Sequence, residues 1–190
     1  SKTEPVYFNH FRTRQKNIDV RVVGSRSSSG ETDYGSLIRK ATEYRDKDDL
    51  SFTNGDTVWI VADGDVNYNN PSPIEKKDTA LSHARKLAKQ KGMEMIISNP
   101  CFEFWYLLHF RYTTGFLKDY EAVEKFLTVH IPDYEKTKDV FLMLEKHLGE
   151  AIKRAKQLEG YHLQNGNQLP FRITVNPYTE VYRLIEAITS

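Results

Sequence analysis

Residues 57–62, Thr-Val-Trp-Ile-Val-Ala, form a run of β-branched, aromatic and apolar side chains that stops abruptly at Asp63-Gly64-Asp65. The run is too short for a helix and lacks the polar alternation of a half-solvated strand. It predicts a strand covered on both faces, which belongs to an α/β architecture. Downstream, Ala80, Leu81, Ala84, Leu87 and Ala88 recur at helical spacing, with Asp78 or Thr79 as the expected cap and Gly92 as the stop. Residues 93–97 then read as a second apolar strand, ending at Ser98-Asn99-Pro100. Strand, helix, strand is the crossover unit of a parallel sheet, right-handed by rule.

The remaining elements are placed around that unit. From Pro5, the residues Val6, Tyr7, Phe8 and Phe11 line one face of a short helix, and residues 18–23 read as a further strand. Residues 24–33, rich in Ser and Gly, form a loop before a helix over 34–45. Residues 101–112 suit a buried helix, being apolar nearly all round, and helices are expected over 119–130 and 136–159. Asn176-Pro177 looks like an N-cap and first-turn proline opening a last helix with Val181, Leu184, Ile185 and Ile188 inward. The expected fold is therefore α/β, a parallel-rich sheet flanked by helices. Its core spans 1–112, a helical elaboration 113–175, and a terminal helix at 176–190 packs back on the core.

Composition narrows the function. A chain of 190 residues with 39% hydrophobic content fills one sizeable core. A net charge of +1 excludes a globally basic nucleic-acid binder, so any polyanion site must be a local patch. Residues 1–40 carry eight basic against four acidic groups, and 41–80 four against nine. The single cysteine, Cys101, rules out an intrachain disulfide or a Cys-rich zinc module and suits a reducing, cytoplasmic setting. The longest apolar stretches, 58–62 and 104–108, fall far short of the roughly 20 residues of a membrane span.

Ligands of open α/β sheets bind at the carboxyl ends of the strands, where Asp63, Asp65, Ser98 and Asn99 lie. Residues i and i+2 of an extended chain project to one side, so Asp63 and Asp65 could direct two carboxylates at one Mg2+. The bland alternative is one Asp capping a turn and the other merely exposed. Glu103, in the first turn of the apolar helix, and Glu4, in the first helix, each read either as a favourable helix-end charge or as a further acid of the same centre. His109, between apolar neighbours, reads as a core histidine, and Cys101 as a small buried residue. Lys2, Arg12, Arg14, Lys16, Arg21 and Arg26, with Ser25 of the Ser-rich loop and Asn99, form the candidate rim for a phosphate-bearing substrate.

Lys2-Thr3-Glu4-Pro5-x-Tyr7-Phe8, Asp63-x-Asp65, the block from Ser98-Asn99-Pro100-Cys101-Phe102-Glu103 through Phe110, and Asn176-Pro177-x-Thr179 together resemble the RloB-like proteins of bacterial restriction and abortive-infection loci. The resemblance implies a minimal Toprim fold and Mg2+- or Mn2+-dependent cleavage of a nucleic-acid phosphodiester in phage defence, RNA and in particular tRNA being favoured over DNA. It also implies an ABC-type ATPase as partner and leaves self-association open. Glu4, Asp63, Asp65 and Glu103 become the expected catalytic residues, with Asp63 and Asp65 on the metal. The family's first-strand glutamate, in a Glu-Gly element before the Lys-Thr-Glu-Pro run, would fall ahead of Ser1. The chain as it stands is accordingly expected to lack that strand and to cleave feebly. Two other readings stand beside this one: a Toprim-like module that binds nucleic acid or nucleotide without cutting it, and a haloacid-dehalogenase-like phosphatase. For the latter, Asp63-Gly64-Asp65-Val66 would supply the nucleophile and the acid/base, although no later Asp-Asp pair follows.

Overall fold

The computed structural model describes residues 3–12, 18–21, 33–66, 68 and 72–190. Two expected strands form a parallel pair, β1 (Trp59–Asp63) and β2 (Glu94–Asn99), connected through helix α3 (Ser72–Gln90). The register places Trp59 opposite Glu94 and Asp63 opposite Ser98. A two-residue strand, β3 (Tyr178–Thr179), adds antiparallel to the carboxyl end of β2, so the three-stranded sheet is mixed. The fold is α/β, with eight α-helices among the described residues.

The sheet separates two apolar cores. On one face, Ile60, Ala62, Met95 and Ile97 meet Leu37 and Ile38 of α2 (Tyr34–Lys47), Leu81, Ala84 and Ala88 of α3, and Phe171, Ile173 and Val175. On the other, Ile96 joins Tyr7 and Phe8 of α1 (Thr3–Asn9), the side chains of α4 (Glu103–Phe110), and those of helices α5 to α8. These last are α5 (Tyr120–Leu127), α6 (Phe141–Glu145), α7 (Leu148–Gln164) and α8 (Val181–Thr189). Strand β2, flanked on both sides, is buried from Met95 to Asn99, as an unbroken apolar run demands.

Several expectations are corrected. Residues 18–21 are not strand, and Val22 and Val23 lie outside the described residues. β1 buries Ile60 and Ala62 but leaves Trp59 and Val61 only half-buried, because it stands at the sheet edge beside a cavity of about 340 Å³ lined by Phe8, Leu37, Tyr44 and Ile188. Helix α3 begins ahead of Asp78. That carboxylate accepts instead from the Ile173 amide (2.8 Å) and the Arg172 guanidinium (2.7 Å), tying the 171–175 segment to the helix. α4 starts at Glu103, and the Phe102 amide just ahead of it donates to Asp63.

The single helix expected over 136–159 is broken into α6 and α7. Phe141 packs against the rings of Tyr7, His10 and Phe11 in and just beyond α1, whereas α7 runs along α4, and the turn at Lys146 and His147 lets the chain serve both. Asn176 does not cap a helix. Its amide exchanges two hydrogen bonds with the backbone of Leu117 (2.8 and 2.9 Å), and the chain passes through β3 before α8 begins. No helix among the described residues is long and apolar enough to cross a membrane.

Candidate metal centre

The centre is built on the turn that ends β1. The Gly64 amide donates to the Ser98 carbonyl (2.7 Å) and the Asp65 amide to the Pro100 carbonyl (3.0 Å), so the turn is laced to the end of β2. From the opposite side, the Tyr34 hydroxyl donates to the carbonyls of Asp63 (3.1 Å) and Gly64 (3.3 Å), and the Lys77 ammonium donates to the Asp65 carbonyl. Gly64 is required by close approach: a Cβ there would stand 2.4 Å from Asn99 Oδ1. Asp65 takes a left-handed conformation with φ 47°, one that Asp tolerates better than most residues. The i, i+2 argument for two parallel carboxylates therefore fails at this step, since it assumes extended backbone through Asp65. Asp63 is half-buried and Asp65 exposed.

Four carboxylates nevertheless share this end of the sheet. Asp63 Oδ1 accepts from the Phe102 amide at 2.8 Å, leaving Oδ2 available. Burial pushes the Asp63 carboxyl well above its ordinary range, and Glu4, Glu103 and Asp65 each push it further. Glu103, only 1% exposed, is held by the Thr3 hydroxyl at 2.9 Å, which brings the start of α1 against the start of α4. Glu4 Oε2 is buried without a hydrogen-bond partner. Among the described residues no ion pair engages any of the four acids. Nor, among those residues, do three His, Cys, Asp or Glu side chains gather at coordinating distance around one point. The Cys101 thiol beside them is pushed up by burial and by the neighbouring Glu103 and Asp63, so it is a protonated packing residue rather than a nucleophile.

Of the expected basic rim, Arg12, Arg21 and Asn99 fall among the described residues. Lys2, Arg14, Lys16, Ser25 and Arg26 lie outside the described residues. Arg12 is exposed. Arg21 is engaged by Asp19 (2.7 Å) and Asp48 (2.5 Å) and lies over the Tyr44 ring, a local cluster on the surface rather than an open phosphate ligand. Asn99 is fully buried, and its amide nitrogen is spent on the carbonyls of Ile173 (2.9 Å) and Val175 (2.6 Å), so it shapes the turn from inside. His109 is a core histidine, with Nδ1 3.0 Å from the Trp105 carbonyl. Lys77, which the sequence did not single out, fixes the Asp65 backbone from the first turns of α3.

The family model described as RloB-like protein matches residues 1–188. No curated protein and no solved structure matches the chain.

Proposed function

The chain belongs to the RloB-like protein family, and from that premise we propose that it is a metal-dependent nuclease acting on nucleic-acid phosphodiesters in antiphage defence, with RNA, and tRNA in particular, as the favoured substrate. One observation carries the reading: Glu4, Glu103 and Asp65 all bear on the Asp63 carboxyl at one end of the sheet, no ion pair among the described residues engages any of the four, and a buried Glu4 oxygen has no hydrogen-bond partner. Like charges brought together in a partly dry site favour either a shared proton or a cation. The donor set is all oxygen, which suits Mg2+ or Mn2+ rather than softer metals. Mg2+ commonly takes only one or two carboxylates and completes its shell with water and phosphate oxygens, a pattern compatible with the absence of three converging ligands among the described residues.

In this reading Asp63 and Asp65 hold the ion, and Glu103 and Glu4 bear on it from α4 and α1. A bound divalent ion would act as a Lewis acid toward the phosphoryl oxygens. The chain's own contribution is orientation: the Phe102 amide fixes one oxygen of Asp63, Thr3 fixes Glu103, and Tyr34 with Lys77 fixes the turn that carries Asp65. The Glu-Gly strand that the resemblance implies would add a further acid to the centre.

The test is incubation of labelled tRNA, single-stranded DNA and plasmid with the 190-residue chain and with the chain extended by that strand, in Mg2+ or Mn2+ and in EDTA. The expected result is metal-dependent cleavage by the extended form, feeble cleavage by the shorter one, and none when Asp63 and Asp65 are both replaced by Asn. Metal-independent cleavage by both forms, or cleavage that survives the double replacement, would overturn the mechanism. A divalent ion should also raise the melting temperature of the wild-type chain but not that of the double variant. Metal binding without cleavage by either form would favour the binding-module reading.

A further inference from the structure

The segment between α4 and α5 carries an exposed aromatic ring, Phe116, at the end of the sheet where the acidic centre lies. β3 runs antiparallel to β2, with Ser98 opposite Thr179 and Asn99 opposite Tyr178, so Asn176 lies beyond the carboxyl end of β2, where the Asp63-Gly64-Asp65 turn also sits. The Asn176 side chain clamps Leu117 through both its amide oxygen and nitrogen. Leu117 is buried at 3% exposure, while its neighbour Phe116 is 59% exposed and Lys118 is exposed too. The Phe116 ring is braced by Tyr68, only three residues beyond Asp65, in an edge-to-face contact with centroids 5.0 Å apart and planes at 77°. Phe116 is thus an apolar ring held in water on a backbone fixed at both polar groups of the next residue, beside the loop that carries the acids.

Resting on the nuclease reading above, we propose that Phe116 is a stacking platform for an unpaired nucleobase next to the scissile phosphate. Two features point to a base rather than to another apolar partner. A flat ring braced from one side by Tyr68 offers a stacking face, and base stacking is the sequence-tolerant way to hold a single strand. The adjoining carboxylates suit a phosphate only through a cation, so affinity must come from somewhere other than charge at the centre. A base within a duplex has both faces covered, so the platform selects unpaired nucleotides such as those of loops and single-stranded ends.

The test is fluorescence anisotropy of a labelled single-stranded RNA oligonucleotide, the same strand in a duplex, and an abasic strand, all in EDTA so that binding is read without cleavage. Phe116→Ala should weaken single-strand binding by roughly tenfold, within the range for losing one base–aromatic stack. Phe116→Trp should retain binding, and the duplex and the abasic strand should bind alike to wild type and variant. Because Phe116 is largely exposed, circular dichroism melts of Phe116→Ala should match wild type. Equal single-strand binding by wild type and Phe116→Ala overturns the platform and leaves the nuclease reading standing. Equal weakening for the abasic strand overturns it as well, since loss would then not involve a base. Phe116-dependent binding with no metal-dependent cleavage by either form of the chain keeps the platform and removes the nuclease. No binding of any strand by wild type overturns the platform, and the nuclease reading is then decided by the cleavage assay in Mg2+ or Mn2+.

Discussion

Gly64→Ala isolates the steric constraint that shapes the centre. The added Cβ would stand 2.4 Å from Asn99 Oδ1, 2.7 Å from its Cγ and 2.9 Å from its Cβ. Asn99 cannot swing aside cheaply, because it is fully buried and its Nδ2 donates to the Ile173 and Val175 carbonyls. If the turn moves instead, the Gly64–Ser98 and Asp65–Pro100 backbone bonds are disturbed. Overpacking alone costs about 1–3 kcal/mol. A buried hydrogen bond broken with its partner left behind adds about 1–3 kcal/mol. Some relaxation is shared between the two routes, so the expected destabilisation is about 2–4 kcal/mol by urea unfolding followed by far-ultraviolet circular dichroism. Asn99→Ala keeps the 2.9 Å contact and relieves the clash only in part, whereas Asn99→Gly removes all three contacts. In the Asn99→Gly background the Gly64→Ala cost should fall below about 1 kcal/mol, giving a coupling of about 2 kcal/mol in the double-mutant cycle. Costs that simply add, or a Gly64→Ala variant as stable as wild type, would refute the argument that Gly64 is dictated by Asn99.

Two further predictions concern pH. The Asp63 carboxyl is raised by burial and by Glu4, Glu103 and Asp65, so its ionisation opposes folding: the stabilising protonated form is complete below the unfolded value near about 3.9 and is lost as pH rises through the folded value. Asp63→Asn, which keeps an acceptor for the Phe102 amide, should stabilise the metal-free chain at neutral pH, with the gain fading toward pH about 4; urea melts in EDTA showing a pH-independent gain, or none, would contradict this. His109 shifts oppositely, lowered to about 4 by burial, so between about 6.5 and 4 the unfolded chain takes up a proton that the fold refuses. Stability should fall by up to about 3 kcal/mol across that window, and His109→Gln should flatten the fall in the same melts.

What the sequence made legible was what depends on local pattern. The unbroken apolar runs located β1 and β2 to within two residues at either end, and the helical spacing of Leu81, Ala84 and Ala88 identified the crossover helix. Legibility failed where a residue's partner is distant in sequence. Asn176 looked like an N-cap because Pro177 follows it, yet its amide is taken by Leu117, 59 residues away. Asp78 looked like a helix cap and instead holds Arg172 and Ile173. β3, at two residues, is too short to show a period, and its pairing with β2 is visible only in three dimensions. Of the candidate site, the acids Asp63 and Glu103 were legible from their places just after apolar strands, and the block that follows β2 carried the family resemblance. Lys77 was not legible, because a lysine on a charged helix face looks solvated until the fold turns it onto the Asp65 carbonyl.

The centre combines a fixed backbone with acids that repel one another, and these two features constrain each other. The turn is held from four sides, by Ser98, Pro100, Tyr34 and Lys77, so the acids it carries cannot relax apart by moving the main chain. Glu103 is likewise pinned through Thr3, and the Asp63 carboxyl through the Phe102 amide. Among the described residues no ion pair engages these acids, and Lys77 donates to the Asp65 carbonyl, so it helps to fix the turn that carries them. The free energy stored in the crowded acids is then available to any ligand that neutralises them. A ligand that binds only the folded state returns it as stability, growing as the logarithm of its concentration over its dissociation constant. In the proposed function that ligand is a divalent cation, and the cost of holding the acids together is the source of its affinity.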